Sequence, residues 1–194
     1  MTRLRRYTLF ALTTGLATAL WIPLLHADTN VDFAATVLKD TCQIEVDGNG
    51  TVEFSTVGRD YFASGVTAET DYEGGKEFSI KIINCPVSDG AITNLTFDFA
   101  PQSGQFATGN NQVFANELTQ SAGGVTNVGV VIFTSDSPRT NVLNSDGTSR
   151  ATFSATTYSD TIWTFYSRMQ KVLSGQNITP GELSSRVLVN VRYE

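Results

Sequence analysis

With 19 Asp and Glu against 13 Lys and Arg, the 194-residue chain carries a formal net charge of −6. That balance argues against nucleic acid and anionic membrane surfaces as partners, because phosphates need Lys and Arg. A single histidine, His26, leaves little room for Ser-His-Asp or Cys-His catalysis, or for the commonest zinc ligand.

The chain opens on a targeting pattern. Arg3, Arg5 and Arg6 form a basic start, and Leu9 to Leu25 is apolar apart from Thr13, Thr14, Gly15, Thr18 and Pro23. Leu25-His26-Ala27 then supplies a small residue suited to signal peptidase. This order predicts a secretory signal over residues 1–27. A retained anchor is the alternative, and the Pro23 break and Ala27 favour cleavage. Cleavage would remove three basic residues, no acidic one, and the only histidine. No later run is long and apolar enough to span a bilayer. The remainder suits one domain and is too short for a separate binding domain beside an assembly domain.

The segment from Asp28 to Asp40 comes next, without a turn residue. Thr29, Val31, Phe33, Ala35 and Val37 share one face by period two. Alternation alone fits equally an ordinary first strand or a strand offered to another molecule. Cys42 and Cys85 are the only cysteines. In an exported chain they are expected to pair, and the loop they close would stabilise the fold by about 4 kcal/mol on the chain-entropy account. A reactive thiol, the other reading, would need a basic neighbour.

Further along, Phe78, Ile80 and Ile82 alternate with Ser79 and Lys81, and Leu95, Phe97 and Phe99 alternate with Thr96 and Asp98. Val128, Val130 and Ile132 follow, then Ile162 and Phe165, and finally Val187, Val189, Val191 and Tyr193. Short period-two runs predict half-buried strands. Between them lie Asp47-Gly48-Asn49-Gly50, Glu73-Gly74-Gly75, Ser88-Asp89-Gly90, Gly109-Asn110-Asn111, Gly123-Gly124, Ser145-Asp146-Gly147 and Pro180-Gly181. Such residues supply the φ > 0 positions of tight turns. The regular spacing predicts an all-β sandwich or Greek-key barrel of one domain, with at most a short helical turn near 116–121.

Catalytic readings are weak. Asp71 with Glu73, or Asp136 with Asp146, could serve as acid and base, but they sit in polar, Gly-rich stretches. Asp47-Gly48-Asn49 lacks the EF-hand spacing for calcium. Asn94-Leu95-Thr96 and Asn177-Ile178-Thr179 match the glycosylation sequon but read as structural. Trp163 reads as a core aromatic rather than a sugar platform. No catalytic residue, cofactor or metal is expected.

Several stretches together resemble chaperone–usher fimbrial subunits (pilins), in particular the minor, tip-adaptor subunits of type 1-like fimbriae. They are the alternating Val31–Val37 strand leading to Thr41-Cys42-Gln43-Ile44, and Ile82-Ile83-Asn84-Cys85-Pro86-Val87. Asn127-Val128-Gly129-Val130 and Phe165-Tyr166-Ser167-Arg168-Met169 follow, with a terminal strand after Pro180-Gly181 whose penultimate residue is Tyr193. The match covers essentially residues 28–194. One departure is Ala35, where many pilins carry glycine.

The resemblance implies an incomplete immunoglobulin-like sandwich lacking its last strand, with an N-terminal donor strand over 28–40, a pilin domain over 41–194 and one Cys42–Cys85 disulfide. It implies a non-enzymatic fimbrial subunit at the bacterial surface. Its partners would be a periplasmic chaperone, an outer-membrane usher and neighbouring subunits, with assembly by addition of a strand to an open sheet edge. The donor residues would be Thr29, Val31, Phe33, Ala35 and Val37. The C-terminal edge strand Val187, Val189, Val191 and Tyr193, with the Glu194 carboxylate, would meet the chaperone. A terminating subunit and a single-domain receptor-binding adhesin or lectin are the rivals.

Overall fold

The computed structural model describes residues 29–35, 42–62, 65–84, 93–155 and 161–193. Two sheets face each other, and no α-helix occurs among these residues. The first sheet contains β1 (Thr29–Ala35), β3 (Thr51–Phe54), β5 (Asn94–Pro101), β9 (Ala151–Ser154) and β11 (Ser184–Tyr193), in the order β3-β1-β11-β5-β9. The second contains β2 (Gln43–Val46), β4 (Lys76–Asn84), β6 (Phe106–Ala107), β7 (Asn110–Ala115), β8 (Val128–Thr134) and β10 (Ile162–Lys171), ordered β2-β4-β10-β8-β7-β6.

Period-two alternation does what the sequence predicts. Along β11, Val187, Val189 and Val191 are buried while Arg186 and Arg192 are exposed. Along β4, Phe78, Ile80 and Ile82 point into the core, and along β5 Leu95, Phe97 and Phe99 do the same. Phe165 of β10 joins the two sheets: its ring lies 5.8 Å from Phe78, 5.1 Å from Phe97 and 5.2 Å from Phe99. These contacts, stacked with Phe78 and edge-to-face with Phe97 and Phe99, stabilise the core beyond the area they bury. Trp163 packs against Phe97 and Phe153, the core role its strand position predicts.

Turn chemistry is also as expected. Gly48, Asn49 and Gly50 all have positive φ and form a single 3-10 turn between β2 and β3. The expected short helical turn lies at Gln120–Ala122 and closes on Gly123 at φ 85°.

One layer goes beyond a simple sandwich. Every residue of β8 is buried, because the outer face of its sheet is roofed by the 65–75 and 138–150 segments. Val113, Val131, Phe133 and Tyr166 form a second apolar cluster there with Ala68. The Tyr166 hydroxyl donates to the Tyr72 carbonyl at 2.9 Å and accepts from the Gly75 N–H at 2.6 Å. Fully buried Asn141 donates to the Ala68 carbonyl at 2.8 Å and accepts from the Leu143 N–H at 2.8 Å. Arg168, 1 % exposed, donates to the carbonyls of Thr67 at 2.8 Å and Thr70 at 2.9 Å.

Candidate functional site: the β1 slot

Between β3 and β11 the first sheet has one slot, and β1 fills it. β1 runs antiparallel to β3, with Thr29 opposite Phe54 and Asp32 opposite Thr51. It runs parallel to β11, from Asn30 opposite Ser184 to Ala35 opposite Val189. Every other ladder between named strands in the described residues is antiparallel. Without β1, the facing edges of β3 and β11 would leave rows of backbone donors and acceptors unpaired.

Of the predicted donor face, Val31 is 0 % exposed and Phe33 9 %. The Phe33 ring stacks on Phe78 with centroids 4.5 Å apart and planes 28° apart. Burying these two side chains contributes about 3–6 kcal/mol gross. Asp32 points outward, where the Thr51 hydroxyl donates to it at 3.4 Å. Thr29 and Ala35 hold ladder positions on the same strand. Val37 and Glu194 lie outside the described residues.

The slot narrows beside Phe33. Gly50 sits at φ 77°, and a Cβ there would lie 2.8 Å from the Phe33 carbonyl oxygen. Only glycine combines that backbone angle with so close an approach.

At the start of β1 the slot does not end with the strand. A cavity of about 350 Å³ continues it, walled by residues just past Phe54 on one side and just before Ser184 on the other. Val57, Phe62, Val125, Ile178 and Leu183 make it apolar, and Met169 closes it from the opposite sheet. Apart from Met169, which lies on β10, these residues escaped the sequence reading because they lie outside the predicted strands. Their one signal is apolar side chains in otherwise polar, Gly-rich stretches. At the other end, β11 continues from Asn190 to Tyr193 paired only with β5 among the described residues.

Val187, Val189 and Val191 are at most 1 % exposed and form the floor of the slot with β1, while Tyr193 is partly buried at the strand's end. Cys42 is buried at the entry to β2. Cys85 lies outside the described residues.

Two of the four carboxylates considered for acid–base work, Asp71 and Asp146, have other tasks. Asp71 accepts from the Arg139 N–H and guanidinium, both at 3.1 Å, and these bonds hold its carboxyl below the usual range. Asp146 accepts from the Thr148 N–H and hydroxyl at 2.9 and 2.6 Å within one turn, which lowers its pKa likewise.

Comparison with known proteins gives a consistent answer. Residues 31–194 match the Fimbrial protein family. The chain is also 38 % identical over 174 residues to the fimbrial-like protein YadK of Escherichia coli strain K12, covering 87 % of this chain and 86 % of that one.

Proposed function

Because the chain belongs to the Fimbrial protein family, we propose that it is a non-enzymatic subunit of a surface fimbria that joins its neighbours by strand addition, giving β1 to one subunit and receiving a strand in the slot between β3 and β11. The observation that carries this reading is the slot. A single strand, β1, is all that separates β3 from β11, and it precedes the first cysteine on its own segment. A strand with the same apolar face from a second copy would meet the same ladder bonds and the same Phe78 ring.

The cavity past Thr29 bears on the rivals. A terminating subunit has no use for an open mouth to its groove, whereas an acceptor has. The acceptor reading is favoured by this apolar mouth of about 350 Å³. An adhesin or lectin would need a depression lined by aromatic and several convergent polar groups, and the cavity at the slot is mainly apolar, with Phe62 its one aromatic residue beside Ser55, Thr56, Arg59 and Thr179.

In this reading residues 1–27 export the chain and are removed, a periplasmic chaperone holds the slot, and an usher passes the subunit to the surface. The test is strand exchange. The subunit is purified with its chaperone and challenged with a synthetic peptide of residues 28–40, beside the same peptide carrying Phe33→Asp, on this subunit and on neighbouring subunits. Displacement of the chaperone by the first peptide and not the second is the expected result. Exchange with none of them would leave β1 as an ordinary strand of its own domain.

The Cys42–Cys85 pairing is part of the same proposal. A thiol count on the denatured, unreduced secreted protein should find none, and two after reduction. Two thiols before reduction would refute it, together with the loop-closure stabilisation of about 4 kcal/mol.

A further inference from the structure

We propose that Met169 is an oxidation switch at the mouth of the slot: oxygen transfer from hydrogen peroxide to its sulfur makes an apolar wall of the cavity polar, and the subunit then stops accepting a strand that reaches into the cavity. This rests on the strand-addition reading and adds a chemical control to it.

Met169 stands apart in the chain. Met1 and Met169 are the only methionines, and Met1 belongs to the segment that export would remove. Met169 sits on the inward side of β10, opposite Val130 of β8, and packs in the main core. It is 5 % exposed, yet it also walls the cavity of about 350 Å³ past Thr29. A core methionine is ordinarily sealed on every side by its neighbours. Here one side of the residue borders open space, and hydrogen peroxide is little larger than the water that such a space admits. A leucine would fill the same position without a reactive atom.

The step needs only the oxidant. A sulfur lone pair attacks one peroxide oxygen, the O–O bond breaks and a sulfur–oxygen bond forms. The departing oxygen takes up the proton of the transferred one and leaves as water. Sulfur is oxidised by two electrons and the peroxide is reduced by two. The product is a sulfoxide, polar and open to repair by methionine sulfoxide reductases.

The two states of the cavity would meet that oxygen differently. While the cavity is open, water reaches the sulfoxide and satisfies it. Once an apolar side chain of an incoming strand fills the space, the water is gone. The wall offers little in its place. Val57, Phe62, Val125 and Leu183 have no side-chain donor, the Thr179 hydroxyl is shared with that of Thr126 at 2.7 Å, and Arg59 is exposed. A buried acceptor without a partner is unfavourable. Oxidation therefore weakens the filled state and leaves the open one nearly as it was, which shifts the balance between them. Affinity for a strand that fills the cavity should fall about tenfold.

The test treats the mature subunit and its Met169→Leu variant with hydrogen peroxide. Each then receives the 28–40 peptide extended by Leu-Ser-Leu at both ends. The extensions keep the alternation, so leucines run on past the position of Thr29 whichever way the strand enters. Mass spectrometry should find one oxygen added at Met169. Uptake should fall about tenfold in the wild type and stay level in Met169→Leu, and a reductase should restore it. The melting curve of the empty subunit should change little, and filling the cavity with the peptide beforehand should slow the oxidation. A Met169 that resists peroxide until the chain is denatured would overturn the switch, as would unchanged uptake after oxidation. A fall in melting temperature matching the loss of uptake would also overturn it, because that pattern marks core damage. No uptake by the untreated wild type would refute strand addition, and the switch with it.

Discussion

Phe33→Asp in the full chain should unseat β1 from between β3 and β11, and the wild-type 28–40 peptide supplied during refolding should restore a soluble complex. Phe33 occupies the middle of the slot, its ring stacked on Phe78 and its carbonyl pressed against Gly50. An aspartate there would lose the stacking and place a carboxylate in the buried core beside Phe78, opposite Val187. Burying an unpaired charge costs several kcal/mol, more than the roughly 1.5–3 kcal/mol that burying Val31 would still contribute. The expected outcome is therefore an empty slot rather than a distorted strand. β3 and β11 would then expose unpaired edges, which drive aggregation.

The rescue arm separates this from ordinary core damage. A core substitution such as Val189→Asp alters the body of the sandwich, and a peptide added in trans cannot repair it. Phe33→Asp alters only the strand that fills the slot, so the body can still accept a sound copy. Recovery of soluble complex in size-exclusion chromatography with the Phe33→Asp chain, and none with the Val189→Asp chain, is the predicted pattern. Rescue of neither would mean that β1 is needed earlier, in folding the body itself.

The sequence made the long strands legible where an apolar face repeats through period two: β4, β5, β8 and β11 fall where alternation places them, whereas in β10 Phe165 enters the core and Ile162, read with it, is exposed. It did not show β3, β6, β7 and β9. These are short, or, as with β7, begin on Asn110-Asn111, which reads as a turn. Four residues such as Thr51–Phe54 carry too few alternations to stand out. They become strands because longer neighbours pair with them.

The identity of the slot's occupant was equally hidden, for a different reason. Val31, Phe33 and Ala35 form the same apolar face whether the strand sits in its own domain or in another. What places β1 in this slot is its pairing with β3 on one side and β11 on the other, a property of the tertiary arrangement. The wall of the cavity beyond Thr29 is assembled from separate stretches of chain, 55–62, 125–128 and 178–183 with Met169, and apart from Val128 and Met169 it is built of residues between the strands.

Arg168 shows the same limit on the opposite face and leads to the second large effect. In sequence it sits in Phe165-Tyr166-Ser167-Arg168-Met169 on the outward side of β10, where an arginine would be expected to reach solvent. Instead the 65–75 segment covers it. Its guanidinium lies 5.2 Å from the Phe133 ring and donates to the carbonyls of Thr67, Thr70 and Met169 and to the Gln170 side-chain oxygen. All these acceptors are neutral, and burial pulls the Arg168 pKa below the ordinary arginine value. Beside it, burial pushes the Tyr61 hydroxyl up to about 12.

Arg168→Met keeps an apolar stem against Phe133 but withdraws every donor. The Thr67 and Thr70 carbonyls and the Gln170 oxygen then need other partners, each costing about 1–3 kcal/mol if left unsatisfied in the interior. Removal of the buried charge itself returns part of that. The expected net loss is about 3 kcal/mol, or roughly 6–12 °C in melting temperature for a domain of this size. Thermal unfolding of Arg168→Met beside wild type measures it, and proteolysis within 65–75 should rise in parallel as that roof loosens. Because Arg168 lies on the face of its sheet away from the slot, uptake of the 28–40 peptide below the melting range should change little. Slot and roof would then be separable parts of the subunit, one built for assembly and the other for keeping the face of β8 and β10 dry. An unchanged melt would assign the roof to Tyr166 and Asn141 alone, and a loss of peptide uptake equal to the loss of stability would show that the two faces open as one.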